Sequence, residues 1–234
     1  MIDLYYAPTP NGWKVAIMLE ELATPYQLYR MQLTKGDQFQ PDFLAISPNA
    51  KMPAIVDHDP VDGGAPQTLF ESGAILHYLA TKTQKFWPQD QRLQIQCLEW
   101  LFWQVGNQGP MMGQLSHFRN YAPEEHKPYG LKRYLGETER CLAVLERRLD
   151  GREWMVGDAY SVADMICFPW AFITRHLRGD LSQFPNVQRW REAIKQRPAV
   201  RRAIDLGKNQ AQHGETANTN SVLFNQNAGH LLKR

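Results

Sequence analysis

Three short stretches hold residue types able to do chemistry. In "YYAPTPNG" a strand-like run ends in a turn that opens a helix, and the turn holds Thr9, Pro10, Asn11 and Gly12. A redox protein with this strand, turn and helix would keep Cys-x-x-Cys there, so this helix N-terminus carries no thiol and no obvious base. In "FESGAI", Glu71 and Ser72 stand where a second helix is expected to start, and free N–H groups at such an end attract an anion. Ser72 with two backbone amides suits a carboxylate, and Glu71 suits an adjacent ammonium. Together they read as a receptor for a free amino-acid end, such as the γ-glutamyl group of glutathione. The plainer alternative is that Ser72 only caps its helix. In "KMPAIVD", Pro53 opens a run typical of a buried strand, where proline cannot donate to the ladder. A cis Met52-Pro53 bond would leave the preceding backbone free to pair with an extended peptide ligand, against the alternative of an ordinary proline at a strand start.

The surrounding pattern supplies elements to hold these groups. "IDLYY" (2–6) has strand character, with Tyr6 expected to point inward, and "NGWKVAIMLEEL" (11–22) places Val15, Met18, Leu19 and Leu22 on one helical face. "YQLYRMQL" (26–33) alternates Tyr29, Met31 and Leu33 as a half-buried strand would. A short helix is expected near "PDFLAI", a buried strand at 52–57, a returning strand after "DHDPVDGG", and a helix over 71–82. This β-α-β-α-β-β-α order over residues 1–82 is that of a thioredoxin-like α/β domain. Beyond a linker broken by Pro88 the strand signal vanishes. Helical periodicity marks 91–106, 132–150, 161–177, 185–196 and 199–206, which predicts an all-helical second domain over 89–206. Within it, Ser161 and Asp164 of "SVADMICF" form an S-x-x-D capping box, a folding element. Residues 207–234, rich in Asn and Gln without periodicity, read as a disordered tail.

Composition narrows the partners. The 26 basic and 24 acidic residues are mixed along the chain, which disfavours nucleic acid. The N-terminus has no charged-then-apolar leader and no stretch approaches a membrane span, so the cytosol is the expected location. Cys97, Cys141 and Cys167 form neither a disulfide framework nor a zinc pattern and read as small core residues. No metal motif is present, since "DHDPVDGG" has the wrong acidic spacing for calcium and no H-E-x-x-H occurs. Any redox chemistry must therefore borrow its sulfur. Met111 and Met112, after Gly109-Pro110, are candidates to line a substrate cleft, and "WLFWQVG" suits helix core and dimer packing.

Five stretches, "YYAPTPNGWK", "KGDQFQPDFLAISPN", "KMPAIVDHDPVDGG", "LFESGAILHYLA" and "WLFWQVGNQGPMMGQ", resemble the glutathione transferase family, and within it the nu class. The resemblance runs from residue 1 to about 205 and leaves the tail outside. It implies a glutathione site in which the Met52 backbone, beside Pro53, pairs with the cysteinyl residue. Glu71 and Ser72 would take the γ-glutamyl end, Gln38 and Lys51 would face the glycyl end, and Arg133 of "KRYLGET" would contact the ligand. Thr9 and Asn11 would approach the sulfur, where other classes use Tyr, Ser or Cys. A thiolate at that helix N-terminus would be stabilised by the dipole, free N–H groups and a side-chain donor, a role compatible with simple capping. The resemblance further implies a homodimeric disulfide-bond reductase, with reduced glutathione as cosubstrate and oxidised glutathione as product. The alternatives are a conventional transferase acting on electrophiles and a non-catalytic relative that binds glutathione or a partner.

Overall fold

The computed structural model describes residues 1–206 and 226–231. They fall into two compact units, one of Met1–Lys82 with the described residues from Arg202 onward, the other of Thr83–Arg201.

The first unit is built on a four-stranded sheet, β1 (Ile2–Tyr6), β2 (Tyr26–Arg30), β3 (Ala54–Asp57) and β4 (Gln67–Phe70), in the order β2-β1-β3-β4. β1 and β2 are parallel, and the β1–β3 and β3–β4 pairs are antiparallel. Helices α1 (Pro10–Leu22), α2 (Pro41–Ile46) and α3 (Ser72–Thr83) complete the expected β-α-β-α-β-β-α order. The alternation along β1 buries Ile2, Leu4 and Tyr6 and leaves Asp3 and Tyr5 half-buried. Tyr6 points inward as expected, and burial pushes its phenol up to about 12. β2 runs out of phase with the sequence reading. Its register sets Leu28 opposite Leu4 and Tyr29 opposite Tyr5, so Leu28 turns inward while Tyr29 is 42% exposed. Tyr29 instead stacks on Tyr5 with ring centroids 5.0 Å apart. The strand ends at Arg30, and Met31 and Leu33 lie outside it.

Two local features fix where the helices begin. A Cβ on Gly12 would stand 2.2 Å from the Ala7 carbonyl oxygen and 3.0 Å from the Tyr6 ring, so glycine lets α1 start hard against the end of β1. At the end of β3, the buried Asp57 carboxylate accepts from Tyr78 Oη at 2.7 Å and Lys82 Nζ at 2.5 Å on α3, and from the Asp59 amide at 3.0 Å. Burial alone would raise this carboxyl, but the Lys82, Asp59 and Tyr78 hydrogen bonds outweigh it and hold it below the ordinary range. The sheet thus grips the C-terminal half of α3 and fixes the line of its N-terminus.

The second unit contains α4 (Gln91–Trp103), a π-helical turn at Gln104–Gln108, α5 (Gly109–Asn120), α6 (Lys127–Arg148), α7 (Val162–Arg178) and α8 (Pro185–Lys195), and α9 (Pro198–Asp205) begins in it. Sequence reading missed α5, because Gly106 and Gly109-Pro110 look like breakers. The π turn carries the chain through the glycines, and Pro110 stands in the first turn of α5, where its missing N–H costs nothing. Met112 is fully buried in α5 and accepts a weak hydrogen bond from Thr174, so it is a core residue and does not line a cleft. The capping box forms as expected on α7. Ser161 Oγ accepts from the Ala163 amide at 3.3 Å, and the Asp164 carboxylate accepts from the Ser161 amide at 3.0 Å. Asp164 also accepts from the Met155 amide at 2.9 Å and Trp190 Nε1 at 2.8 Å. Its complete burial pushes the carboxyl up to about 6 against these bonds.

Of the tail read as disordered, residues 207–225 and 232–234 lie outside the described residues. The described part is ordered against the first unit. Gln226 accepts from Lys51 Nζ at 3.0 Å, and α10 (Ala228–Leu231) sets His230 against Phe39 with centroids 4.6 Å apart. No helix among the described residues is long and apolar enough to cross a membrane.

Candidate functional site

Thr9 is the N-cap of α1. Its backbone is extended, at φ −123° and ψ 162°, and its hydroxyl accepts from the Gly12 amide at 3.3 Å. The same hydroxyl donates weakly toward the Met52 thioether, with Oγ1 and Sδ 3.9 Å apart. The fold therefore joins two predicted site stretches that lie 43 residues apart in sequence. Asn11 is half-buried in the first turn of α1. Met52-Pro53 is a cis peptide, as expected, with Pro53 buried at the approach to β3. No acidic residue lies in the first turn of α1 or of α3, and Glu71 immediately precedes α3.

At the start of α3, Glu71 is exposed and its carbonyl accepts the first helical bond, from the Ile75 amide at 2.9 Å. Its φ of +69° is left-handed, a region that costs a non-glycine residue on the order of 1 kcal/mol and clusters at functional positions. Ser72 is 7% exposed, and its Oγ accepts from Nζ of Lys14 at 3.3 Å. Lys14 was missed in the sequence reading. Position 14 lies one turn before Met18 on the buried face of α1, but its partner on another helix leaves no mark in the sequence.

The loop between β2 and α2 contributes Gln38, which is 1% exposed. Its Nε2 donates to the Leu33 carbonyl at 3.2 Å, and its Oε1 is buried without a hydrogen-bond partner among the described residues. Lys51 is exposed and its ammonium meets Gln226. Arg133 belongs to the second unit, where it is exposed on α6 and pairs through Nη1 with Glu137 at 2.7 Å. Hydrogen bonds from Arg140 and Arg133 hold the Glu137 carboxyl below its ordinary value. The three cysteines form no disulfide, are fully buried and lie in the second unit. Burial pushes the Cys97 and Cys141 thiols up to about 11, so neither is a thiolate near neutrality. Two converging features remain in the first unit: the capped α1 N-terminus beside Met52-Pro53, and the α3 N-terminus with Ser72 backed by a lysine. Both suit anions, and neither brings a thiol of its own.

Comparison with known proteins agrees with this geometry. Residues 2–81 match the "Glutathione S-transferase, N-terminal domain" model and residues 110–198 the "Glutathione S-transferase, C-terminal domain" model. The chain is 52% identical over 204 residues to the disulfide-bond oxidoreductase YfcG of Escherichia coli, a match covering 87% of this chain and 94% of that one. A glutathione transferase from Burkholderia graminis, solved with two glutathione molecules per subunit, superposes with a TM-score of 0.83 at 44% identity, over 91% of this chain and 89% of that one. One from Pseudomonas putida, solved with one glutathione disulfide per subunit, gives a TM-score of 0.82 at 42% identity, over 88% and 91% of the two chains. A thioredoxin-like unit followed by a helical one, with both domain signatures and half its residues shared with such a relative, makes this chain a member of the glutathione S-transferase family.

Proposed function

We propose that this protein is a glutathione-dependent disulfide-bond reductase that supplies no sulfur of its own. The observation that carries the reading is the α1 N-terminus, where Thr9 caps the helix beside Met52-Pro53 with no cysteine at the turn. Glutathione lies along this surface with its cysteinyl residue paired to the Met52 backbone and its thiolate at the dipole, near Thr9 and Asn11. Glu71 and Ser72 take the γ-glutamyl ammonium and carboxylate, and Gln38 and Lys51 the glycyl end. The first thiolate attacks one sulfur of the substrate disulfide, forming a mixed disulfide and expelling a thiolate that takes a proton. A second glutathione thiolate attacks the glutathionyl sulfur, giving glutathione disulfide and releasing the second substrate thiol. Two glutathione molecules lose two electrons and the disulfide gains them. Relatives solved with two glutathione molecules or one glutathione disulfide per subunit support a site that holds both sulfurs.

The working molecule is a homodimer in the cytoplasm. Ile95 and Phe102, seven residues apart on α4, are 57% and 70% exposed and offer an apolar face for a second copy. Three cysteines outside any disulfide suit a reducing compartment. The test is glutathione-dependent reduction of 2-hydroxyethyl disulfide, coupled to glutathione reductase, beside conjugation of chlorodinitrobenzene. Robust disulfide turnover with poor conjugation is expected; strong conjugation with negligible disulfide turnover would make this a conventional transferase.

A further inference from the structure

Lys14 is only 2% exposed, which is rare for lysine because a buried ammonium is costly unless other groups compensate it. It sits in the second turn of α1 and spends a hydrogen bond on Ser72 Oγ, at the head of another helix 58 residues away. The direction of that bond matters. A serine hydroxyl has one proton and two acceptor positions. With Lys14 donating to the oxygen, the Ser72 proton is turned away from Lys14 and is free to donate to an acceptor at the α3 N-terminus. A protonated Lys14 also sets positive charge behind that hydroxyl, in surroundings that screen it less than water does. An apolar side chain at position 14 would give Ser72 neither an oriented proton nor a backing charge.

We propose that Lys14 is a positioning residue that makes this end of the site selective for a free α-carboxylate, acting through Ser72. The proposal rests on the glutathione reading, in which Ser72 receives the γ-glutamyl carboxylate and Glu71 the neighbouring ammonium. It assigns the selectivity to a residue that does not touch the ligand. A ligand of the same length without that carboxylate loses the advantage Lys14 provides.

The test pairs a variant with a ligand change. Binding of glutathione and of 4-aminobutanoyl-cysteinyl-glycine, which lacks only the γ-glutamyl carboxylate, is measured by calorimetry on the full-length protein and on Lys14→Met. Lys14→Met is expected to weaken glutathione on the order of tenfold, the scale of a lost charge-assisted hydrogen bond, and to leave the decarboxylated tripeptide unchanged. In turnover the loss falls on KM for glutathione, with kcat unchanged. Lys14→Arg restores part of the selectivity. Lys14→Gln, which keeps a donor without the charge, applies the same ligand comparison if the methionine variant does not fold. Equal weakening of both ligands would reduce Lys14 to a structural role and overturn the proposal, as would unchanged glutathione affinity. Failure of the unaltered protein to bind glutathione at all is a separate result, and it would remove the glutathione reading itself.

Discussion

Thr9 does two jobs that can be separated. As an N-cap its hydroxyl accepts from the Gly12 amide, and as a donor it faces the Met52 thioether, beside the place assigned to the glutathione sulfur. Thr9→Ala is expected to cost about 1 kcal/mol of stability through the lost cap. It should also lower kcat/KM for disulfide reduction by on the order of tenfold through the lost donor to the thiolate. Thr9→Ser should recover both. Urea denaturation and the coupled assay read the two effects separately; a loss of stability with unaltered turnover would leave Thr9 as a cap alone. The two helix starts were legible at this scale, because a helix N-terminus favours particular residue types and Thr9 and Ser72 are of that kind, while Pro53 marked the cis bond before β3. Lys14 was not. A lysine in an amphipathic helix reads as solvated unless its partner is known, and its partner is a serine on another helix.

Elements were legible wherever the period was strong and the ends were marked. α1, α3 and α7 fall where apolar spacing and caps put them. β2 shows the limit, because its own alternation suggested Tyr29 inward while its pairing with β1 decided the face. α5 shows another, since a glycine or a Gly-Pro pair stops a helix only if the backbone has no π turn to absorb it. The S-x-x-D box on α7 is worth testing as an element. Ser161→Ala should cost about 1 kcal/mol, the ordinary worth of an N-cap hydroxyl. Asp164→Ala should cost about 3 kcal/mol or more, because it leaves the Ser161 and Met155 amides and Trp190 Nε1 without their acceptor in the core. Both follow from urea denaturation. Equal small losses would mean that the carboxylate contributes no more than the cap.

Across the whole molecule, chemistry and stability are divided between the two units. The first presents two helix N-termini and a cis-proline strand entry, while the second keeps every protein thiol inside its core. The sulfur that reacts then has to arrive with the ligand, and the fold's task is to ionise and align it. A chain with Cys97, Cys141 and Cys167 all replaced by alanine removes every protein sulfhydryl without touching the first unit. The decisive measurement is glutathione-dependent reduction of 2-hydroxyethyl disulfide by that variant, normalised to the folded fraction from near-ultraviolet circular dichroism. Turnover per folded molecule within about twofold of the unaltered protein is the predicted result, because the exchange passes only between glutathione and substrate sulfurs. A variant that is folded, binds glutathione and turns nothing over would contradict it, and would place a protein thiol in the reaction.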